Sequence, residues 1–317
     1  MKTVIFGFRA DFSLPNEKWM QLKEQFKNDY QFYPLNDCPQ EMLEQAEVFV
    51  GWPDSKTLRQ MHGLCWLQLP SAGANHFANN PEISSDVVIT NATGVYNTAG
   101  AEHILALMLA LTRRIPEYAR QTAKHQWRCL DVPRQIEGST VTIVGLGNIG
   151  KATAIRLAAF GAQVLGVKRT KSACPPYVHE IFTVDAISEA VSQSDFVVNV
   201  LPLTEETENF FDRKFFSQCK KGAVFINAGR GQSVVQDDLI VALQSGQLSG
   251  AGLDVTVPEP LPADHPLWDC ENVLITSHSL GLSPEKAEKQ LSLLADNLQR
   301  FKEGQHLQNI VNRKLGY

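Results

Sequence analysis

The chain has 317 residues, of which 44% are hydrophobic and 20% are charged, and its formal net charge is −5 at pH 7. This length allows two domains with separate cores, and the composition is ordinary for a globular protein. Because the balance is acidic and no block of like charges occurs, the sequence argues against nucleic acid or an anionic membrane as a partner. The longest apolar stretch, residues 104–111, is too short to span a bilayer.

The six cysteines are scattered along the chain, without a C-x-x-C pair or a metal-ligand spacing with histidine. We therefore expect free thiols, a reducing compartment such as the cytoplasm, and no metal site. Residues 1–6 form a short apolar run that ends at Gly7 and is followed by the charged residues Arg9 and Asp11. This pattern predicts a first strand and not a signal peptide.

Short apolar runs alternate with helical segments over the first hundred residues, which predicts a parallel sheet. Helices are expected after Leu14 and Asp54, and the predicted strands are residues 3–6, 31–33, 48–50, 66–69 and 87–90. Small residues at 71–75 follow the fourth of these strands, and their backbone N–H groups could approach a carboxylate. A tight connection without a ligand is at least as consistent with these residues alone.

A second α/β unit is predicted after the polar stretch at 91–98 and a helix from 99 to about 125. The apolar residues 104–111 lie within that helix, and we expect them to be buried between domains or subunits. The six strands of this unit are expected at residues 141–144, 164–167, 196–201, 223–227, 250–254 and 273–276. Such a series suits a doubly wound sheet, which binds ligands at the carboxyl ends of its strands.

The segment 141–150 joins a β-branched strand to a G-x-G-x-x-G turn, which opens a helix predicted at residues 151–160. Gly145 permits the tight turn, Gly147 leaves room for a pyrophosphate, and Gly150 lets the helix pack closely on the strand. The first N–H groups of the helix then face the phosphates. This context favours dinucleotide binding over a plain tight turn.

The next strand ends in Lys168, Arg169 and Thr170, where NAD enzymes usually carry an acid that accepts from the ribose 2′-hydroxyl. Two cations and a hydroxyl cannot accept that hydrogen bond, but they can bind a 2′-phosphate. The alternative is a solvated strand end without a ligand. The sequence therefore favours NADP(H) as the cofactor, with NAD(H) possible.

Arg230, Glu259 and His278 follow three of the later strands and are expected to converge beside the nicotinamide. Arg230 can hold a carboxylate and polarise a carbonyl, and His278 can donate a proton to the oxygen that is reduced. Glu259 would orient the imidazole and raise its pKa. Each residue taken alone could equally be a surface or packed side chain. Among the other histidines, His103 could cap a helix or face the domain interface.

At these residues the chain resembles the D-isomer-specific 2-hydroxyacid dehydrogenases, a family that includes glyoxylate and hydroxypyruvate reductases. The matching segments are residues 145–150, 202–204, 226–231, 252–261 and 276–278. The resemblance implies Arg230, Glu259 and His278 as the catalytic set. It also implies a homodimer that uses the helix after Ala99, and a carboxylate-binding loop formed by Ala72, Gly73 and Ala74.

The same segments imply the remaining contacts and the division of the chain. Asp254 could bind the carboxamide of the cofactor or only cap a turn, and the other expected cofactor contacts are Asn148, Ile149, Leu201, Pro202, Ala228 and Gly229. We expect two Rossmann-like or flavodoxin-like domains with a cleft between them. Residues 1–98 and 287–317 would form the substrate domain, and residues 99–286 the dinucleotide-binding domain. Ser277 departs from the family pattern, which usually has proline before the histidine.

The expected function is therefore the reduction of a small 2-keto acid, of the glyoxylate or hydroxypyruvate type, to the D-2-hydroxy acid with NADPH. A nicotinamide-sensing protein similar to transcriptional corepressors of this family is one alternative. An NAD-dependent dehydrogenase for a bulkier substrate is another. An amino-acid dehydrogenase would leave the ordered set Arg230, Glu259 and His278 unexplained.

Overall fold

The computed structural model describes residues 1–9, 12–131 and 134–317, and these form two compact units. Unit 1 contains Met1–Tyr96 and Ser283–Tyr317, and unit 2 contains Asn97–Leu282. The described residues of unit 1 form a five-stranded sheet and those of unit 2 a seven-stranded sheet, each accompanied by helices. The predicted α/β class with two parallel, doubly wound sheets is confirmed.

The strands of unit 1 lie at the positions predicted from the sequence, within two residues at each end. They are β1 (Lys2–Gly7), β2 (Tyr30–Pro34), β3 (Val48–Gly51), β4 (Trp66–Gln68) and β5 (Val88–Thr90). The helices of this unit are α1 (Asn16–Gln25), α2 (Gln40–Glu44), α3 (Ser55–Gln60), α4 (Asn75–Ala78) and α11 (Lys286–Glu303). The strand order β2-β1-β3-β4-β5, with all neighbours parallel, is that of flavodoxin-like folds.

Both faces of the unit 1 sheet are buried, which explains the nearly continuous apolar runs of its strands. Ile5 and Phe49 belong to the core on one face, and Val4 and Phe6 belong to the core on the other. Leu298 of α11 packs into this second core. The C-terminal helix therefore completes the fold that the N-terminal residues begin.

The described residues of unit 2 form seven strands where the sequence predicted six. They are β6 (Thr140–Val144), β7 (Gln163–Lys168), β8 (Glu180–Thr183), β9 (Phe196–Asn199), β10 (Ala223–Asn227), β11 (Leu248–Leu253) and β12 (Val273–Ile275). The parallel order is β12-β11-β10-β9-β6-β7-β8, so the order reverses between β6 and β9. Ligands of doubly wound sheets bind at the carboxyl ends of the strands at such a reversal. The strand missed by the sequence is β8, which lies at the sheet edge and pairs with β7.

The helix predicted from 99 to about 125 is instead two helices. These are α5 (Asn97–Thr112) and α6 (Ile115–Ala123), and the remaining helices of unit 2 are α7 (Asn148–Ala159), α8 (Ile187–Val191), α9 (Arg213–Gln218) and α10 (Gln236–Gln244). The chain turns at Arg114, whose φ is +55°, and Pro116 lies in the first turn of α6. A proline disfavours helix at the preceding residue, so the break occurs where the sequence carries its signal.

Helix α5 packs against the sheet of its own unit. Ile104, Leu107 and Met108 are buried in the core that also contains Ile143 and Ile226. The sequence predicted that residues 104–111 are buried between domains or subunits. The structure corrects this for Ile104, Leu107 and Met108, which are buried within unit 2. No helix in the described part of the chain has both the length and the apolar character that a membrane crossing requires.

Candidate active site

The glycines of residues 145–150 shape the turn between β6 and α7. Gly145 has φ +104°, a conformation that residues with a side chain rarely adopt. A Cβ at Gly150 would collide with the carbonyl oxygen of Gly145, so the helix can pack against the turn because this position is glycine. Gly147 precedes α7, and a Cβ built there would meet no atom within 4 Å among the described residues other than its own chain neighbours. The N-terminus of α7 at Asn148 and Ile149 is therefore unobstructed beside Gly147, as the approach of a pyrophosphate would require.

The strand next to this turn ends in a cationic segment. Lys168 is the last residue of β7, and Arg169 and Thr170 follow as exposed residues. The Nζ of Lys168 donates to the Oγ of Ser172 at 3.0 Å. Positive charge and hydroxyl groups beside the dinucleotide turn suit a phosphate better than a ribose hydroxyl, which requires an acceptor.

The loop of small residues predicted to bind a carboxylate belongs to unit 1. Its carbonyl groups are engaged: that of Ser71 accepts from Ala92 N, that of Ala72 from Asn91 Nδ2, and that of Gly73 from Ser71 Oγ, each at 2.8 Å. None of the hydrogen bonds found among the described residues uses the N–H groups of residues 72–74. These backbone N–H groups could donate hydrogen bonds to an anion.

Arg230 follows β10 and is held mainly through its backbone. Its carbonyl accepts from the Oγ of Ser233 at 2.6 Å and from the Nδ2 of Asn227 at 3.2 Å. Its Nη1 donates to the carbonyl of Gly229 at 2.7 Å. Burial lowers the pKa of Arg230, and the carboxylate of Glu259 opposes that shift. Since an arginine pKa starts far above neutral, the guanidinium remains charged.

Asn199, at the end of β9, ties together the chain segments that follow β9 and β10. It is fully buried, and its Nδ2 donates to Asn227 Oδ1 at 2.9 Å and to Ser233 Oγ at 2.8 Å. Asn199 was not among the residues predicted from the sequence. The rule that identified Arg230, a polar residue at the carboxyl end of a central strand, would have found it.

The other predicted cofactor contacts after β9 and β10 lie at the same edge of the sheet as the glycine turn. Leu201 N donates to Asn199 Oδ1 at 2.9 Å, and Ala228 N donates to Asn199 O at 3.0 Å. Pro202 and Gly229 are the next residues of these two segments. The structure thus gathers them at one edge, and their contact with a cofactor stays a prediction.

Glu259 and His278 form a hydrogen-bonded pair, with 2.8 Å between Oε2 and Nδ1. The other carboxylate oxygen of Glu259 accepts from Thr256 N at 3.2 Å. The hydrogen bond with Glu259 raises the pKa of His278, against burial and the charge of Arg230. Burial by itself would raise the pKa of Glu259, but the hydrogen bond and the charge of His278 outweigh it and lower that pKa. Since Nδ1 is engaged, the proton that the imidazolium can donate is on Nε2.

Asp254 follows β11, and its side chain is only 1% exposed. Its Oδ1 accepts from Thr276 Oγ1 at 2.6 Å and from Ser279 N at 2.9 Å, and its Oδ2 accepts from Leu280 N at 3.1 Å. Burial by itself would raise the pKa of Asp254, but its hydrogen bonds, including that of His103, lower it to about 2. Asp254 therefore caps the turn that carries His278, and a contact with the cofactor carboxamide stays a prediction.

Comparison with known proteins decides the family. Residues 105–279 match the sequence model described as the NAD binding domain of D-isomer specific 2-hydroxyacid dehydrogenases. This match covers more than half of the 317 residues and includes Arg230, Glu259 and His278. The chain belongs to this family. It is a nicotinamide-dependent oxidoreductase, and the resemblance inferred from the sequence motifs is confirmed.

Relatives of this dehydrogenase are similar over most of its length. The glyoxylate reductase of Korarchaeum cryptofilum is 33% identical over 281 residues, which cover 85% of this chain and 80% of that protein. The glyoxylate reductase/hydroxypyruvate reductase of Homo sapiens is 38% identical over 234 residues, which cover 72% of this chain and 70% of that protein.

Two solved structures are similar to this chain in three dimensions. The NADPH-dependent glyoxylate/hydroxypyruvate reductase of Sinorhizobium meliloti, in complex with NADP and sulfate, has a TM-score of 0.86 at 28% identity and 100% coverage of both chains. The D-isomer specific 2-hydroxyacid dehydrogenase of Xanthobacter autotrophicus, in complex with NADPH and MES, has a TM-score of 0.86 at 27% identity, covering 100% of this chain and 99% of that chain.

This dehydrogenase departs from the common family pattern at Ser277, immediately before His278. In the structure His278 N donates to the carbonyl of Asp254 at 2.8 Å, and the φ of His278 is +50°. The backbone of the histidine is therefore fixed from β11, without a proline before it.

Proposed function

We propose that this dehydrogenase reduces small 2-keto acids such as glyoxylate and hydroxypyruvate with NADPH, and that hydroxypyruvate gives the D-2-hydroxy acid. The observation that carries the proposal is the position of Arg230 and the Glu259–His278 pair, which follow β10, β11 and β12 at the edge of the sheet that bears the glycine turn. Reduction of a 2-keto acid needs a guanidinium to bind the carboxylate, a proton donor, and a site for the dinucleotide. The names of the relatives support the substrate class.

Arg230 binds the substrate carboxylate and polarises the keto oxygen. Its guanidinium offers planar N–H donors to oxygen atoms, and it stays charged throughout the neutral pH range. The backbone carbonyl of Arg230 accepts hydrogen bonds from Asn227 and Ser233. These bonds fix the backbone from which the side chain extends. Stabilisation of charge on the keto oxygen by such a preorganised cation accelerates its reduction.

His278 donates the proton. The raised pKa of His278 favours the imidazolium, and its Nε2 transfers the proton to the oxygen of the former carbonyl. Bound NADPH supplies the hydride that the keto carbon receives. Glu259 holds the ring through Nδ1, stabilises the imidazolium before the transfer, and leaves a neutral imidazole paired with a carboxylate afterwards.

Unit 2 is the proposed cofactor domain, and Lys168 and Arg169 are proposed to select NADPH. The turn at 145–150 provides the open helix terminus for the pyrophosphate, and the cations lie at the end of the neighbouring strand. Charge-assisted hydrogen bonds to the 2′-phosphate would favour NADPH over NADH. The solved relatives with bound NADP or NADPH support this preference.

Unit 1 is the proposed substrate domain, and its loop at 71–74 is proposed to bind the substrate carboxylate. The carbonyls of this loop accept hydrogen bonds from Asn91, Ala92 and Ser71, which leaves the N–H groups of residues 72–74 as donors. Backbone donors arranged in this way bind anions without a charged side chain.

We also propose a homodimer that uses α5, α6 and the segment after them. Ile115 is 53% exposed, Tyr118 38% and Trp127 103%, so three large apolar side chains are exposed in one stretch of unit 2. Trp127→Ser should shift the protein toward the monomer in light scattering, whereas a wild-type monomer would contradict the proposal.

All six cysteines are free thiols, which supports a reducing compartment such as the cytoplasm.

The proposed activity is tested with a panel of 2-keto acids of increasing size and both reduced cofactors. We expect turnover of glyoxylate and hydroxypyruvate, a higher kcat/KM with NADPH than with NADH, and D-glycerate as the product of hydroxypyruvate on a chiral column. Arg230→Ala should lose the activity, and Arg213→Ala, an exposed arginine of the same unit, should keep it.

Two other outcomes would contradict the proposal. A folded protein that binds NADPH but turns over none of the acids would be a nicotinamide-sensing protein. A strong preference for the bulkiest acids with NADH would indicate the NAD-dependent dehydrogenase for larger substrates.

A further inference from the structure

His103, on α5, lies against a buried carboxylate that the proposed reaction does not use directly. Its Nε2 is 2.9 Å from Thr276 Oγ1 and 3.2 Å from Asp254 Oδ1. The side chain of His103 is 20% exposed, and that of Asp254 is 1% exposed. The sequence suggested only a helix cap or the domain interface for this histidine. The structure instead places it beside the residues that hold the turn of His278.

The hydrogen atoms of this cluster can be assigned from the partners of each group. The hydroxyl of Thr276 donates to Asp254 Oδ1 at 2.6 Å. Asp254 is an ionised carboxylate, since its pKa is about 2. Both oxygen atoms that face Nε2 of His103 are therefore acceptors, so Nε2 carries a hydrogen whether or not the ring is charged. His103 is a donor to this cluster in either protonation state.

Asp254 holds the backbone on both sides of the His278 ring. Its carbonyl accepts from His278 N at 2.8 Å, and its carboxylate accepts from Ser279 N at 2.9 Å and from Leu280 N at 3.1 Å. These bonds maintain φ +50° at His278, a left-handed conformation that residues with a Cβ rarely adopt. The orientation of the Asp254 carboxylate therefore sets the backbone from which His278 reaches Glu259.

We propose that His103 is a positioning residue for His278 and acts through Thr276 and Asp254. Among the described residues the buried carboxylate has four donors, and His103 is the one that comes from α5. The same helix supports the far end of the turn, because a Cβ at Gly100 would lie 3.0 Å from Leu280 Cδ2. The proposal rests on the proposed function only in naming His278 as the proton donor.

Three variants separate a donor from mere packing. The amide of His103→Gln reaches about as far as Nε2 and keeps an N–H, whereas His103→Leu fills the space without one. His103→Asn keeps an amide that is too short to reach Asp254. Glu102→Gln, at an exposed position next to His103 on α5, is the matched control.

The deciding measurement is the pKa of His278 in the free protein, followed by NMR of histidine labelled with ¹³C at Cε1. The signal of His278 is assigned by its disappearance in His278→Gln. The charged groups around this ring are Glu259, Arg230 and Asp254. If His103 positions the turn, His103→Leu and His103→Asn loosen the pairing with Glu259, and the pKa of His278 falls. His103→Gln and Glu102→Gln should keep the wild-type value.

A second readout is kcat for keto-acid reduction, which should fall on the order of tenfold in His103→Leu and largely return in His103→Gln. An unchanged pKa of His278 in folded His103→Leu or His103→Asn would overturn the proposal, as would an equal fall in all variants including Glu102→Gln. Should the wild type reduce no keto acid, the proposed function fails but the NMR titration still decides the role of His103. Should His103→Leu not fold, the comparison of His103→Asn with His103→Gln decides it.

Discussion

The carboxyl edge of the unit 2 sheet has two kinds of strand end. After β9, β10 and β11 the chain is held by buried polar side chains, with Asn199 fully buried and Asp254 1% exposed at the side chain. After β7 the chain is exposed, and Lys168 donates to the hydroxyl of Ser172, itself an exposed residue. The groups proposed to bind, polarise and protonate the substrate are thus fixed in place. The groups proposed to recognise the 2′-phosphate instead carry their charge at the surface.

This difference separates two kinds of substitution. Changes at the held strand ends should impair the reaction with either cofactor, because position there is part of the chemistry. Changes at the exposed strand end should alter the choice of cofactor and leave the reaction itself intact. The exposed cations there would act on the cofactor phosphate by an electrostatic attraction that salt screens.

The largest expected effect is that of Arg230→Ala. Removal of the guanidinium takes away the carboxylate contact and the charge beside the keto oxygen together, at about 2–4 kcal/mol of transition-state stabilisation. This corresponds to roughly a 30- to 1000-fold lower kcat/KM, with either cofactor. Arg230→Lys should restore only part of it, because an ammonium lacks the planar fork. Near-normal reduction by Arg230→Ala would remove Arg230 from the catalytic set.

The second effect concerns the choice of cofactor. Lys168 and Arg169 together should contribute about 2–4 kcal/mol toward the 2′-phosphate, which predicts a kcat/KM ratio of tens to about a thousand for NADPH over NADH. The ratio should shrink with added salt. Lys168→Asp combined with Arg169→Ala should invert it, since a carboxylate accepts from the ribose hydroxyl and repels the phosphate.

A matched charge change controls for the field of the whole protein. Lys214→Asp makes the same change at an exposed residue of α9 and should leave the ratio near its wild-type value. If the wild type uses NADH as well as NADPH at low salt, the cations of residues 168–169 form only a solvated strand end.

A smaller effect is expected on stability at Asn199. Asn199→Ala removes its hydrogen bonds to Asn227 and Ser233, and each lost hydrogen bond costs about 0.5–1.5 kcal/mol. Urea unfolding should therefore show a clear loss of stability, and kcat should fall with both cofactors because the segment of Arg230 is released. Gln193→Ala removes an exposed amide of the same unit and should change neither. A fully stable Asn199→Ala would mean that the network does not hold the strand ends.

The smallest effect is a shift of the pH profile in Glu259→Gln. In the proposed mechanism the imidazolium of His278 donates the proton, so kcat should fall as the pH rises through the pKa of His278 in the complex. The hydrogen bond with Glu259 raises that pKa, so the amide should move the fall to lower pH. The profile must be recorded where hydride transfer limits the rate, and Glu271→Gln, at an exposed position of the same unit, is the control. An identical profile would leave Glu259 with a structural role only.

The fold was predictable where the sequence carries a local signal. Strands β1 to β5 are rich in β-branched and aromatic residues, and the glycine turn at 145–150 marks the unit proposed to bind the cofactor. The edge strand β8 was missed, because Glu180–Thr183 is a run of four residues with little periodicity. The break between α5 and α6 was missed although Pro116 signals it.

The site divides in the same way. The placement of Arg230, Glu259 and His278 at one edge was predictable because each follows a strand of a sheet whose carboxyl ends meet, and their catalytic roles stay a prediction. The contact between His103 and Thr276 joins residues 173 positions apart on a helix and a strand end, and no spacing in the sequence marks it. Such contacts arise from packing of α5 on the sheet, which only the structure shows.

The contrast between the held and the exposed strand ends is tested most directly by single-turnover reduction of glyoxylate. The wild type, Arg230→Ala and the combined Lys168→Asp and Arg169→Ala variant are each mixed with substrate and either NADPH or NADH. The predicted result is slow hydride transfer in Arg230→Ala with both cofactors. The combined variant should be slow with NADPH and at least as fast as the wild type with NADH. Equal slowing of the combined variant with both cofactors, or an undiminished rate in Arg230→Ala, would contradict it.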